Sequence, residues 1–178
     1  MRRIRVKAEK PVKPEEFFES KKKITIAAIA VAALLLIIAV LIYMENNDSK
    51  IVINNKTDLK LEYVKAYYVG PEDQYNEGIN VTDLEAGKSV SLPQDPINLF
   101  MAEANLEIRF KFEGYDELFV DSGYFNDDFD GKVTIKFVPT KDGKIKLTVK
   151  AKGGVINTKG IICDDYFYVN LAEGYIED

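Results

Sequence analysis

Hydrophobic and polar residues follow two different patterns along this chain. From Ile24 to Met44 the sequence runs for 21 residues without a charged side chain. As an α-helix this segment is about 31 Å long, and the hydrocarbon core of a bilayer is about 30 Å thick. A buried helix of a soluble protein is the alternative, but such helices are rarely apolar on every face over about 20 residues. The pattern therefore predicts one transmembrane helix over residues 24–44.

A cleaved signal peptide also has a basic segment before its hydrophobic core, so the end of the apolar run matters. The core of a signal peptide is about 7 to 15 residues long and is followed by a small-x-small cleavage site. The uncharged run here is longer, and the sequence VLIYME at residues 40–45 contains no such site. We therefore expect an uncleaved signal anchor.

The basic residues near the apolar run predict its orientation. Residues 1–23 contain nine Lys and Arg residues, whereas the first basic residue after the run is Lys50. Lysine and arginine are enriched on the cytoplasmic side of transmembrane helices. We therefore expect a cytoplasmic N-terminus, membrane lipid around residues 24–44, and the rest of the chain outside the cell membrane.

After Lys50 the pattern changes to the two-residue period of β-strands. Residues 106–112 alternate between hydrophobic and polar side chains at every position, as in a strand with one buried face. Similar runs lie at residues 51–53, 61–69, 84–92, 118–120, 133–137, 145–149 and 166–171. About seven to nine short strands without helical periodicity predict an all-β ectodomain, a β-sandwich. The predicted organisation is a basic tail (1–23), a transmembrane helix (24–44), a spacer (45–50) and the sandwich (51–178).

Turn residues separate the predicted strands. The sequence Lys141-Asp142-Gly143-Lys144 favours a tight hairpin, and prolines at 93, 96 and 139 favour strand ends. The segment Leu84–Leu92, with the pattern Leu-x-Ala-Gly-x-Ser-Val-x-Leu, resembles the turn-and-strand element of immunoglobulin-like and fibronectin-like surface domains, including those of membrane-anchored bacterial proteins. This resemblance implies a sandwich shape. The Cys and Trp core of true immunoglobulin domains is absent.

Composition excludes several kinds of chemistry. The 178 residues include no His, no Trp and one Cys, so imidazole bases, His metal ligands, multi-cysteine zinc sites and internal disulfides are excluded. The net charge is −5 for the whole chain, and residues 45–178 are far more acidic than the tail. This charge disfavours a nucleic-acid partner. No motif for a phosphate or dinucleotide cofactor is present.

An acidic segment, Asn126 to Gly131, is similar to the start of an EF-hand loop. Its oxygen-bearing residues Asn126, Asp128 and Asp130 occupy alternate positions, as ligands of Ca²⁺ do. The twelfth position, which needs a bidentate Glu, is Phe137, and a strand pattern follows instead of a helix. We therefore expect an acidic, solvated hairpin turn that binds Ca²⁺ weakly at most, and no other cofactor.

Two further residue types are candidates for modification. Asn-x-Ser/Thr occurs at Asn47, Asn55 and Asn80, which are glycan acceptors in a host with that machinery. Cys163 is followed by two acids, which oppose thiolate formation, so we expect a buried structural thiol. An intermolecular disulfide is the main alternative.

The predicted function is a membrane-tethered binding or assembly module for another cell-envelope component, without enzymatic activity. Loops or an edge strand would contact that partner. Aromatic residues in or beside predicted loops are candidates for this contact, although they equally suit a core. They are Tyr67, Tyr68, Tyr75, Tyr115, Tyr124, Phe125 and Phe129. The alternatives are a sensor or regulator with output through a partner and, less favoured, an unrecognised enzyme.

Overall fold

The computed structural model describes residues 14–46, 49–71, 73–153 and 160–177. The chain divides into two compact units, with the boundary between Tyr43 and Met44. The first unit contains an α-helix and the second contains β-strands.

The helix α1 extends over Pro14–Asn46. Proline suits the first position of a helix, because its missing N–H would have no intrahelical partner there, and Glu15 and Glu16 follow in the first turn. Within α1 the segment Lys21–Leu41 is long and apolar enough to cross a membrane. Length and composition of this kind are shared by membrane anchors and by signal sequences near an N-terminus.

The second unit contains eleven strands among the described residues. The strands are β1 (Lys50–Asn55), β2 (Leu61–Val69), β3 (Ile79–Leu84), β4 (Ser89–Pro93), β5 (Ala104–Phe112), β6 (Leu118–Phe125), β7 (Lys132–Pro139), β8 (Ile145–Lys152), β9 (Ile161–Ile162), β10 (Asp164–Asn170) and β11 (Tyr175–Glu177). They form a six-stranded sheet in the order β11-β10-β8-β7-β1-β4 and a five-stranded sheet in the order β3-β2-β5-β6-β9. Strands β1 and β7 are parallel, and the other pairs are antiparallel.

The two sheets share one hydrophobic core. Strand β5 alternates between buried and half-buried residues over its whole length, as its sequence predicts. Phe110 and Phe112 of the five-stranded sheet contact Phe137 of the six-stranded sheet, with ring centroids 5.2 and 5.5 Å apart. These edge-to-face contacts between buried aromatic rings join the two sheets into a sandwich. The predicted all-β sandwich after one N-terminal helix is confirmed.

Several details of the sequence prediction differ from the structure. The described residues form eleven strands where the sequence predicts seven to nine, because the sequence does not predict β3, β9 and β11 as separate strands. The predicted spacer 45–50 is shorter, because α1 continues to Asn46 and β1 begins at Lys50. The segment 126–131 is no hairpin turn, because β6 and β7, which it connects, belong to different sheets. The Asp142-Gly143 hairpin between β7 and β8 is present, with Gly143 at φ 83°.

Candidate interaction sites

Three connections meet at one end of the sandwich: residues 70–71 and 73–78 between β2 and β3, residues 94–103 between β4 and β5, and residues 126–131 between β6 and β7. Ile97 and Phe129 exchange two backbone hydrogen bonds of 2.9 and 2.8 Å. The Tyr75 hydroxyl donates a hydrogen bond to the Ala102 carbonyl at 3.1 Å. These bonds hold loops from both sheets together.

A cavity of about 540 Å³, which we call the loop-end cavity, lies between the first two connections. Ligand pockets in proteins usually measure about 300 to 1,000 Å³. Apolar and polar side chains both line it, and none of the lining residues is basic. The lining residues are Ile51, Tyr75, Asn76, Glu77, Gly78, Ile79, Pro93, Gln94, Asp95, Pro96, Ile97 and Asn98. The two carboxylates among them make the cavity suitable for groups that donate hydrogen bonds.

Gln94 is the most unusual residue of this lining, because it is a buried amide with 9% of its surface exposed. Its Nε2 donates a hydrogen bond of 3.1 Å to the Tyr68 hydroxyl. Its Oε1 is buried and has no partner among the described residues. Burial raises the pKa of Tyr68, so this hydroxyl is neutral. Buried amides are normally satisfied, and an unpaired one costs about 1–3 kcal/mol.

Gly78 shapes the wall of the cavity. Its φ of +69° lies in the left-handed region, which glycine adopts without strain. A Cβ at this position would lie 2.1 Å from the Ala66 carbonyl oxygen and 2.5 Å from the Tyr67 Cβ. Only glycine allows the backbone of the β2–β3 connection to approach β2 this closely. The cavity therefore depends on Gly78.

The acidic segment 126–131 is arranged around a buried ring. Asp128 and Asp130 are exposed and Asn126 is half-buried, whereas Phe129 is fully buried. The Phe129 ring packs against Tyr68 and Phe125, with centroids 6.2 and 5.4 Å apart. Among the described residues, no group of three or more Asp, Glu, Cys or His side chains is placed to hold a metal ion. Weak Ca²⁺ binding by Asn126, Asp128 and Asp130 stays a prediction.

The outer face of the five-stranded sheet carries a closed polar network. Arg109 Nε lies 2.6 Å from Glu107 Oε1 and 2.8 Å from the Tyr67 hydroxyl, and Arg109 Nη1 lies 3.0 Å from Glu117 Oε1. The Tyr63 hydroxyl donates to Glu117, which raises the pKa of Tyr63 to about 12. Hydrogen bonds from Tyr63 and Arg109 lower the pKa of Glu117. Arg109, Glu107 and Glu117 therefore each have a charged partner within the network.

The candidate modification sites have different surroundings. Asn55 is fully buried, and its amide nitrogen donates to the carbonyls of Leu59 and Leu84 at 2.8 and 3.2 Å. Its Oδ1 accepts a hydrogen bond from the Thr57 hydroxyl at 2.6 Å. Asn55 is therefore inaccessible to a glycan in the folded domain. Asn80 on β3 is exposed, and Asn47 lies outside the described residues.

Cys163 lies between β9 and β10, where the chain leaves one sheet for the other. It is buried, as expected, and its Sγ lies 3.6 Å from the Ser122 hydroxyl. Burial raises the pKa of the Cys163 thiol to about 11. A neutral buried thiol is a poor nucleophile.

The predicted aromatic surface divides into core and surface residues. Tyr68, Phe125 and Phe129 are fully buried, whereas Tyr75 and Tyr124 are exposed. Tyr75 lines the cavity. No sequence signal marked Gln94, because an amide near two prolines is typical of an exposed loop.

Comparisons of the chain with models of protein families, with curated protein sequences and with solved structures find no match. The molecule is defined by its fold: a two-sheet β-sandwich after one apolar N-terminal helix that is long enough to span a membrane.

Proposed function

We propose that this protein is a single-pass, membrane-anchored binding module that presents its sandwich outside the cell and binds a component of the cell envelope. The nine basic residues of the tail support the orientation, by the positive-inside rule. The absence of a cleavage site after the apolar run supports an uncleaved anchor. The turn-and-strand resemblance of residues 84–92 agrees with a surface domain of the immunoglobulin-like kind.

The observation that carries this proposal is the buried Oε1 of Gln94, which has no hydrogen-bond partner among the described residues although Gln94 lines the loop-end cavity. A site with polar groups buried in apolar surroundings binds ligands that satisfy those groups. Because Glu77 and Asp95 also line the cavity and no lining residue is basic, the ligand carries hydrogen-bond donors. Amino and hydroxyl groups, such as those of amino sugars, have this chemistry.

Binding without catalysis agrees with the side chains present. The chain contains no His, and the Cys163 thiol is buried with a raised pKa. Mechanisms that use an imidazole base or a thiolate nucleophile therefore lack their usual groups in this protein.

The test is a calorimetric titration of the full chain, in detergent micelles, with glucosamine and with N-acetylglucosamine. We expect glucosamine to bind more tightly, because its ammonium group donates hydrogen bonds to the acidic lining. Gln94→Leu should weaken binding by about tenfold, since one hydrogen bond to a charged group contributes about 1.5–3 kcal/mol.

The matched control is Asn80→Leu, which removes an exposed amide from β3 outside the cavity lining. It should bind both sugars as the unmodified chain does. Equal binding by Gln94→Leu and the unmodified chain, or no binding of either sugar, would contradict a donor-binding cavity.

A further inference from the structure

The outer face of the six-stranded sheet carries an excess of positive charge. Core-facing and outward-facing residues alternate along each strand, so residues two apart share a side. Six lysines of β1, β7 and β8 lie on the outer side, and we call them the lysine face. They are Lys50, Lys132, Lys136, Lys146, Lys150 and Lys152. Two carboxylates of the strands lie on the same side, Asp164 of β10 and Glu177 of β11.

The strand register places three of these lysines in one row. Lys50 is the partner of Lys132 in the β1–β7 pair, and Lys132 is the partner of Lys152 in the β7–β8 pair. Like charges directly opposite each other in an antiparallel pair are destabilising. Lys132 and Lys152 are therefore placed where their charges disfavour the β7–β8 pair.

The basic residues of the lysine face differ from one another in their partners. Lys150 Nζ lies 2.7 Å from a carboxylate oxygen of Asp164. On the lysine face, Lys132, Lys136 and Lys152 have no carboxylate of a described residue within 4.0 Å. The positive charges of these three lysines are therefore available to an anionic partner.

Two tyrosines border the lysine face on β10. Lys146 Nζ lies 4.3 Å from the ring centroid of Tyr166 and 5.6 Å from that of Tyr168. Tyr166 is 52% exposed. An exposed ring beside ammonium groups offers apolar contact next to an anionic group.

We propose that the lysine face binds a linear polyanion, an envelope polymer with repeating phosphate or carboxylate groups. Neighbouring strands are about 4.8 Å apart, and residues two apart along a strand are about 7 Å apart. The lysines therefore form a flat array that contacts several charges of one chain at once. A polymer that meets such an array releases condensed counterions, which gives affinity despite the acidic domain. This surface is separate from the loop-end cavity and does not depend on it.

The test measures binding of long-chain inorganic polyphosphate to the full chain in nanodiscs of zwitterionic lipid, over a range of salt concentrations. Lys132→Gln combined with Lys152→Gln should weaken binding about tenfold or more and reduce the slope of log K against log salt by about 1 to 2. The same double variant should be as stable as the unmodified chain or more stable, because it removes opposed like charges.

The matched control is Lys65→Gln combined with Lys111→Gln, on β2 and β5 of the other sheet. It makes the same change in net charge, and all variants keep the basic tail, which also attracts polyanions. The control should bind polyphosphate as the unmodified chain does.

Equal weakening by the two double variants would show attraction by net charge alone and would overturn the proposal, as would equal binding by all three chains. Single-stranded DNA bound more tightly than polyphosphate, with the same dependence on Lys132 and Lys152, would replace the proposal with a nucleic-acid site.

Discussion

Single residues determine the loop-end cavity. Gln94 contributes a buried amide, and Gly78 allows the neighbouring backbone to approach β2. Neither role is visible in the sequence, since both depend on contacts between residues far apart in the chain. The buried face of β5 was predictable because alternation is a local pattern.

Replacing Gly78 tests this account of the cavity wall. Gly78→Ala forces a Cβ against the Ala66 carbonyl oxygen and adds the strain of a positive φ. We expect it to lower the free energy of unfolding by about 3 kcal/mol or more. Gly87→Ala is the control, because Gly87 has φ +72° with open space around its Cβ position. Gly87→Ala should lower the free energy of unfolding by about 1–2 kcal/mol, because it adds only the strain of the positive φ. If urea denaturation shows equal losses in the free energy of unfolding for the two variants, the backbone at Gly78 does not lie close to β2.

At the scale of elements, sequence reasoning found the long strands and missed the short ones. Strands β2, β5, β7 and β8 are eight or nine residues long, with clear alternation. Strand β9 has two residues and β11 has three, which is too short for a period to be recognised. Strand β3 buries two of its six residues, so its pattern resembles an exposed loop.

The sequence of the β6–β7 connection wrongly predicts a solvated hairpin. Asn126, Asp128 and Asp130 give it the polar pattern of an exposed turn, but Phe129, between the two aspartates, is buried. Phe129 fills the core and pairs its backbone with Ile97, so the segment crosses between sheets.

This arrangement predicts different effects for neighbouring residues. Phe129→Ala should lower the free energy of unfolding by about 3–5 kcal/mol, because it leaves a cavity in the aromatic core. Asp128→Ala and Asp130→Ala should change it by less than about 0.5 kcal/mol, since both side chains are exposed.

Calcium at about 1 mM should leave the melting temperature of the full chain unchanged within about 1 °C. At this concentration, a calcium site with a Kd of about 10 μM would stabilise the folded chain by about 2.7 kcal/mol. A corresponding rise in the melting temperature that is lost in Asp128→Ala would show that the segment is a metal site.

At the scale of the whole molecule, an apolar helix precedes a β-sandwich for which we propose two binding surfaces, the loop-end cavity and the lysine face. The helix was predictable, because 21 residues without a charge are a strong local signal. The cavity and the lysine face were not, because the sheet order and register that assemble them come from long-range pairing. Both surfaces are proposed to bind components of the cell envelope, so both proposals require that the sandwich lies outside the cell membrane.

Cysteine labelling in intact cells tests whether the sandwich lies outside the cell membrane. Replacing the buried Cys163 by Ala removes the native thiol, and single cysteines are then introduced as Ala8→Cys in the tail and Asp142→Cys in the exposed β7–β8 turn. We expect a membrane-impermeant maleimide to label Asp142→Cys in intact cells, and Ala8→Cys only after permeabilisation, both on a full-length chain. The reverse labelling, or a mature chain that has lost position 8, would contradict the proposed anchor.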